Sequence, residues 1–137
     1  MSLLAAQTNA FNAYKQNSVT TASPGELTLM LYNGCLKFIN KAKQAIEEKN
    51  IEERNHYVQR SQAIIAELMS TLNMDYDISK QMLPLYEYMN RRLTEANIKN
   101  DVSILDEVAG LVTEFRDTWK EVLKITRQQQ YSNTDQV

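Results

Sequence analysis

Residues 23–49, SPGELTLMLYNGCLKFINKAKQAIEEK, decide the fold. The run opens with three helix-start signals. Ser23 can accept a hydrogen bond from a free backbone N–H of the first turn. Pro24 suits the first helical position, where its missing N–H costs nothing. Glu26, three residues after the cap, can reach back toward the Ser23 backbone. Beyond the start, apolar residues recur at helical spacing in two stripes. One runs Leu27, Met30, Leu31, Cys35, Phe38, Ala42, Ala45, Ile46; the other, rotated away from it, runs Leu29, Tyr32, Leu36, Ile39. A helix with one apolar stripe packs on one surface, whereas one apolar most of the way round must be covered from several sides. Periodicity admits two covers for the second stripe: other parts of this chain, or a partner.

The rest of the chain supplies more helices. Residues 51–72 carry a seam through Ile51, Tyr57/Val58, Ser61, Ile64/Ile65, Leu68/Met69 and Leu72, with Asn50 and Glu53 placed to start it. Residues 73–77, Asn-Met-Asp-Tyr-Asp, form a polar turn. A third helix is predicted over 78–97 through Ile78, Met82, Leu85, Met89, Leu93 and Ala96, with a kink or a fresh start near Met82-Leu83 because Pro84 removes a backbone donor. A fourth is predicted over 102–127 through Ile104/Leu105, Val108, Leu111/Val112, Phe115, Trp119 and Val122/Leu123. Short polar turns between helices of this length give an all-α, antiparallel, up-down-up-down four-helix bundle over residues 23–127. Before it, residues 1–22 read as a short N-terminal helix on a flexible strap, serving either as a frayed terminus or as a detachable cap over an apolar groove. After it, residues 128–137 are polar and aperiodic and read as a disordered tail.

Composition narrows the function. The chain has 137 residues, 43% apolar, with only 3 Gly and 2 Pro, which leaves little turn chemistry for hairpins. Net charge is −2 with both signs interspersed, and without a basic patch a nucleic-acid or membrane-surface role is disfavoured. No apolar run is long enough to insert in a membrane, and the N-terminus lacks the charged and apolar regions of a secretory signal. Cys35 is the single cysteine, which excludes an intrachain disulfide and suits a reducing cytoplasm. Glu53-Arg54-Asn55-His56 matches Glu-x-x-His once, but a di-iron bundle needs the motif twice and this chain has one histidine, so no metal is expected. Cys35 has no base to activate it, and Gly25, Gly34 and Gly110 are too scattered for a phosphate loop. The expectation is a non-enzymatic protein without a cofactor. What remains is apolar surface. Burying Leu29, Tyr32, Leu36 and Ile39 is worth at most about 6–12 kcal/mol, more than the roughly 2–5 kcal/mol needed to order a disordered ligand. The matching mode is an amphipathic segment laid between bundle helices; a scaffold that binds a folded partner is the alternative.

Several pieces, in order, resemble one family. They are Tyr14, then Val19-Thr20-Thr21-Ala22-Ser23-Pro24, Glu26-Leu27, Leu31-Tyr32-Asn33-Gly34, Leu85-Tyr86-Glu87-Tyr88-Met89, Arg92-Leu93, Glu95-Ala96-Asn97 and Trp119. Together they resemble the FliS-type flagellar export chaperones, over roughly residues 11–119 of the chain. Asn33, where the family often has an acidic residue, and Pro84 depart from its pattern. The resemblance implies a cytoplasmic bundle that binds the disordered C-terminal segment of flagellin, prevents premature assembly and delivers it to the flagellar export apparatus, with homodimers known among relatives. It implies a movable cap around Tyr14 and Val19. With the apolar stripe, it makes Leu29, Tyr32, Leu36, Ile39, Tyr86 and Leu93 the candidate groove.

Overall fold

The computed structural model describes residues 23–135, and within them every regular element is a helix. The expected N-terminal helix and strap, including Tyr14 and Val19, lie outside the described residues. The four helices are α1 (Pro24–Glu47), α2 (Ile51–Ser70), α3 (Asp77–Lys99) and α4 (Val102–Asp135). Each packs on the next and α4 closes on α1, so the four form a ring around one core.

The ends of the helices follow from local chemistry. Ser23 Oγ accepts from the Glu26 N–H at 3.2 Å, and Pro24 occupies the first turn. The reciprocal half of the expected box does not form, because the Glu26 carboxylate is turned to Arg127 on α4. At the other end of α1, Lys49 takes the left-handed conformation at φ 59°. The Asn50 N–H then reaches the Ala45 carbonyl and the Lys49 N–H that of Ile46, which satisfies two carbonyls of the last turn. Asn50 starts α2 in turn by accepting from the Glu53 N–H at 3.1 Å. Asn73 accepts from the Asp75 N–H in the α2–α3 turn. Asn100, also left-handed at φ 53°, ends α3, and Asp101 opens α4 by accepting from the Ser103 N–H at 2.9 Å.

Two expectations about helix extent are corrected. Of the two outcomes expected at Pro84, a kink or a fresh start, the fresh start does not occur: α3 runs as one helix from Asp77 to Lys99 with Pro84 inside it. Pro84 is exposed, on the side away from the core, where the carbonyl it leaves without an N–H can meet water. The end of the chain is not a disordered tail as far as Asp135: α4 continues through residues 128–135. Gln128, Gln129 and Gln130 are good helix formers, and no proline or glycine follows Gly110 to stop the helix.

That extension makes the bundle asymmetric. α1 and α4 are antiparallel, aligned by Lys43 with Asp106 at 2.6 Å, Asn33 with Arg116 at 3.4 Å, and Gly25 with Trp119 at 2.7 Å. By Arg127, paired with Glu26, α4 has reached the start of α1. The eight residues from 128 to 135 overhang the end of the bundle by about 12 Å.

Candidate partner-binding surface

The two apolar stripes of α1 are explained by its two neighbours. Toward α2, Phe38 stacks on Tyr57 with centroids 6.1 Å apart, the Cys35 thiol faces the Ser61 carbonyl at 3.9 Å, and Gly34 lets Ile64 approach closely. Toward α4, Leu29 and Leu123 line one groove, and Lys43 pairs with Asp106. Leu36 is seven residues from both Leu29 and Lys43 and so shares their face. Between the two flanks, Tyr32 and Ile39 point into the core.

The sequence-predicted residues therefore separate. Tyr32, Ile39, Tyr86 and Leu93 are 3%, 0%, 2% and 0% exposed, which places them in the core rather than along an open groove. This burial has a simple physical basis. A helix in a four-membered ring touches two neighbours and the centre, so α1 needs apolar residues over more than one stripe for folding alone. Leu36 is partly buried against the core, and only Leu29 lines an open groove.

The core candidates are also tied to each other. Tyr32 on α1 and Tyr86 on α3 meet across the ring, hydroxyl to hydroxyl at 2.7 Å, and Tyr86 stands edge-on to Phe115 at 5.5 Å. Burial pushes the Tyr32 and Tyr86 hydroxyls above the ordinary phenol range, and pushes the Cys35 thiol up to about 12. An acid whose folded pKa is raised keeps its proton in the native state but loses it in the unfolded chain. Its contribution to stability is therefore fully present below the unfolded pKa and is lost as pH rises toward the folded one. For Cys35 that window runs from about 9 to about 12. The thiol's contribution to the unfolding free energy is accordingly expected to be constant up to about pH 9 and to fall above it, by up to about 1.4 kcal/mol per pH unit, as read from urea unfolding. Cys35→Ala should fall less steeply over pH 9–10; identical slopes would show that the thiol is not held neutral by burial.

The surface itself carries apolar side chains that sequence reasoning left in the core or passed over. On α3, Ile78 and Leu85 are 61% and 41% exposed. They are spaced seven apart with Arg92, whose guanidinium pairs with Glu107 of α4 at 2.9 Å, and Tyr88 donates to the same carboxylate at 2.8 Å. Ile78 and Leu85 therefore lie on the α3 face that borders α4. On α4, Ile125 is in helical phase with Glu107 and Val122 stands beside it; they are 51% and 41% exposed. The α3–α4 border is thus polar and latched near Arg92 and apolar and open toward the overhang. Met74 and Tyr76 are exposed in the adjoining turn. The sequence held a signal for this: the seam of α4 continues past the point where the helices that could cover it begin and end.

Beside this border, between α1 and α4, lies a groove of about 300 Å³ lined by Leu29, Lys120, Leu123, Lys124, Arg127 and Gln128. Near its end Gly25 sits so close to Leu123 that an added Cβ would lie 2.4 Å from its Cδ2. No helix among the described residues is long and apolar enough to cross a membrane.

Comparison with known proteins agrees with this architecture. The family model described as flagellar protein FliS matches residues 7–126. The flagellar secretion chaperone FliS of Bacillus subtilis (strain 168) is 53% identical over 91% of this chain and 94% of its own. That of Campylobacter jejuni is 36% identical over 82% of this chain and 90% of its own. A solved structure described as a flagellar chaperone from bacteria superposes with a TM-score of 0.69 at 19% identity, covering 86% of this chain and 98% of that one, and supports the fold. With most of its length matched by the family model and half of its residues shared with a named relative, the chain belongs to the FliS family, a family of flagellar chaperones and not of enzymes.

Proposed function

We propose that this protein works in the bacterial cytosol as an export chaperone for flagellin. It holds the disordered C-terminal segment of flagellin, keeps it from polymerising early, and delivers it to the flagellar export apparatus. The observation that carries the binding surface is the open apolar border of α3 and α4, where Ile78, Leu85, Val122 and Ile125 are all more than 40% exposed. A segment that is disordered when free can lay an amphipathic face along such a border, and the area buried offsets its ordering cost. Leu29 and Leu36 extend this surface toward α1, whereas Tyr32, Ile39, Tyr86 and Leu93 support it from beneath. Tyr14 and Val19 keep their proposed role as part of a movable cap. A homodimer through the same border is the competing use of the surface.

Calorimetric titration with a peptide of the flagellin C-terminal segment tests this reading. Val122→Asp with Ile125→Asp should weaken binding at least tenfold and lower the thermal melt far less than a charge placed in the core, because both side chains are about half exposed. Ile98→Asp, at the far end of the bundle and 77% exposed, should bind like wild type. Equal binding by all three proteins would mean that the border is not the site. Failure of the wild type to bind any such peptide would overturn the chaperone function itself, and concentration-dependent sedimentation without peptide binding would favour the dimer.

A further inference from the structure

We propose that the groove between α1 and the second half of α4 reads an acidic side chain on the bound segment, so that this part of the site selects by charge as well as by apolar contact. The inference rests on the chaperone reading above and adds a chemical requirement on the ligand. The apolar part of the groove's lining is Leu29 and Leu123. Its rim is cationic, made by Lys120, Lys124 and Arg127. Arg127 is already paired with Glu26. Lys120 and Lys124 have no ion pair among the described residues, and no carboxylate lines the groove. Four residues apart on one helix, their ammonium groups emerge on the same side. The nearest acid in their own helix, Glu121, is not among the groove's lining residues.

Charge complementarity decides among occupants. Residues 1–22 contain no Asp or Glu, and their one charged side chain is Lys15, so this chain's own N-terminal segment cannot answer the rim. A second copy seated groove on groove would bring like charges together, since a two-fold contact places the same patch on both sides. Two unpaired lysines on a chain of net charge −2 are also too small a patch to hold a polynucleotide. The fitting occupant is an amphipathic protein segment with an aliphatic side chain for Leu29 and Leu123 and a carboxylate on its flank.

The test uses the full chain and a peptide of the flagellin C-terminal segment. Lys120→Gln with Lys124→Gln should weaken binding about 3- to 10-fold at 50 mM salt, as expected for two partly exposed charge pairs, and the difference should close at 0.5 M salt. Lys120→Arg with Lys124→Arg should restore most of the affinity. A zero-length carbodiimide should join Lys120 or Lys124 to a carboxylate of the bound peptide, a result that a merely structural role for the lysines would not give. Equal affinity and equal salt dependence of the glutamine variant, with no cross-link at either lysine, overturns this inference and leaves the chaperone reading standing. Absence of peptide binding by the wild type overturns both. Displacement of the peptide by a single-stranded oligonucleotide at similar concentration would assign the rim to a general polyanion instead.

Discussion

Ile39→Asp is expected to abolish the native bundle. Ile39 is fully buried at the middle of α1, on the face between the α2-facing and α4-facing flanks. A carboxylate placed there must either ionise without a partner or take up a proton, and both options oppose folding. The cost, more than about 4 kcal/mol, is comparable to the whole stability of a domain of this size. Circular dichroism in urea should show no cooperative transition, or one beginning near zero denaturant. Ile39→Ala, which leaves a cavity and no charge, should retain the transition with a loss of about 2–5 kcal/mol. Leu36→Asp should be milder than Ile39→Asp, because Leu36 is only partly buried. A wild-type melt for Ile39→Asp would mean that this face of α1 is open to solvent, the arrangement that the second apolar stripe alone allows. The pair thus separates a core position from a groove position on the same stripe, which a binding measurement on Ile39→Asp could not do.

The same residue shows where sequence reading reached its limit. The starts of α1, α2 and α4 were legible because Ser23, Asn50 and Asp101 act within a few residues of themselves, and such chemistry is local. The four-helix architecture was legible from spacing and short turns. Which apolar face stays uncovered was not, because it depends on how far each neighbour extends. Tyr32 and Ile39 look like surplus until α4 is placed alongside α1. Val122 looks like core until α4 is seen to run past its partners. The continuity of α3 through Pro84 was likewise settled by packing rather than by propensity.

The family resemblance succeeded for a related reason. The residues that carry it are largely those that join one helix to another. Tyr32 meets Tyr86, Arg92 holds Glu107, Asn97 joins Arg54 and Asn55 at the start of α2, and the Trp119 indole donates to the Gly25 carbonyl. Such pairs fix the register of the bundle, so their order and spacing identify the fold. Of the residues proposed as the docking surface, only Leu85 falls within the pieces that carry the resemblance; Ile78, Val122 and Ile125 are exposed apolar residues outside them. The family resemblance therefore points toward the fold more directly than toward the surface proposed to hold the partner.

Tyr86→Ala is expected to cost about 3–5 kcal/mol, the range for removing a large buried aromatic side chain. Tyr86 does two things at once: its ring packs edge-on against Phe115, and its hydroxyl crosses the ring of helices to Tyr32. Conservative variants separate the two. Tyr86→Phe keeps the ring contact but leaves the Tyr32 hydroxyl, on a residue only 3% exposed, without its partner; this should cost about 1–3 kcal/mol. Tyr32→Phe should cost a similar amount by stranding the other hydroxyl. Removing both strands neither, so the double variant should lose clearly less than the sum of the two single losses. Urea unfolding of the four proteins, wild type included, gives the coupling directly. If the two single losses simply add, the hydroxyls do not depend on each other and the 2.7 Å contact is not what joins α1 to α3. If they fail to add, the bond across the core is a shared element of stability, and the loss in Tyr86→Ala beyond that in Tyr86→Phe measures the ring's packing alone.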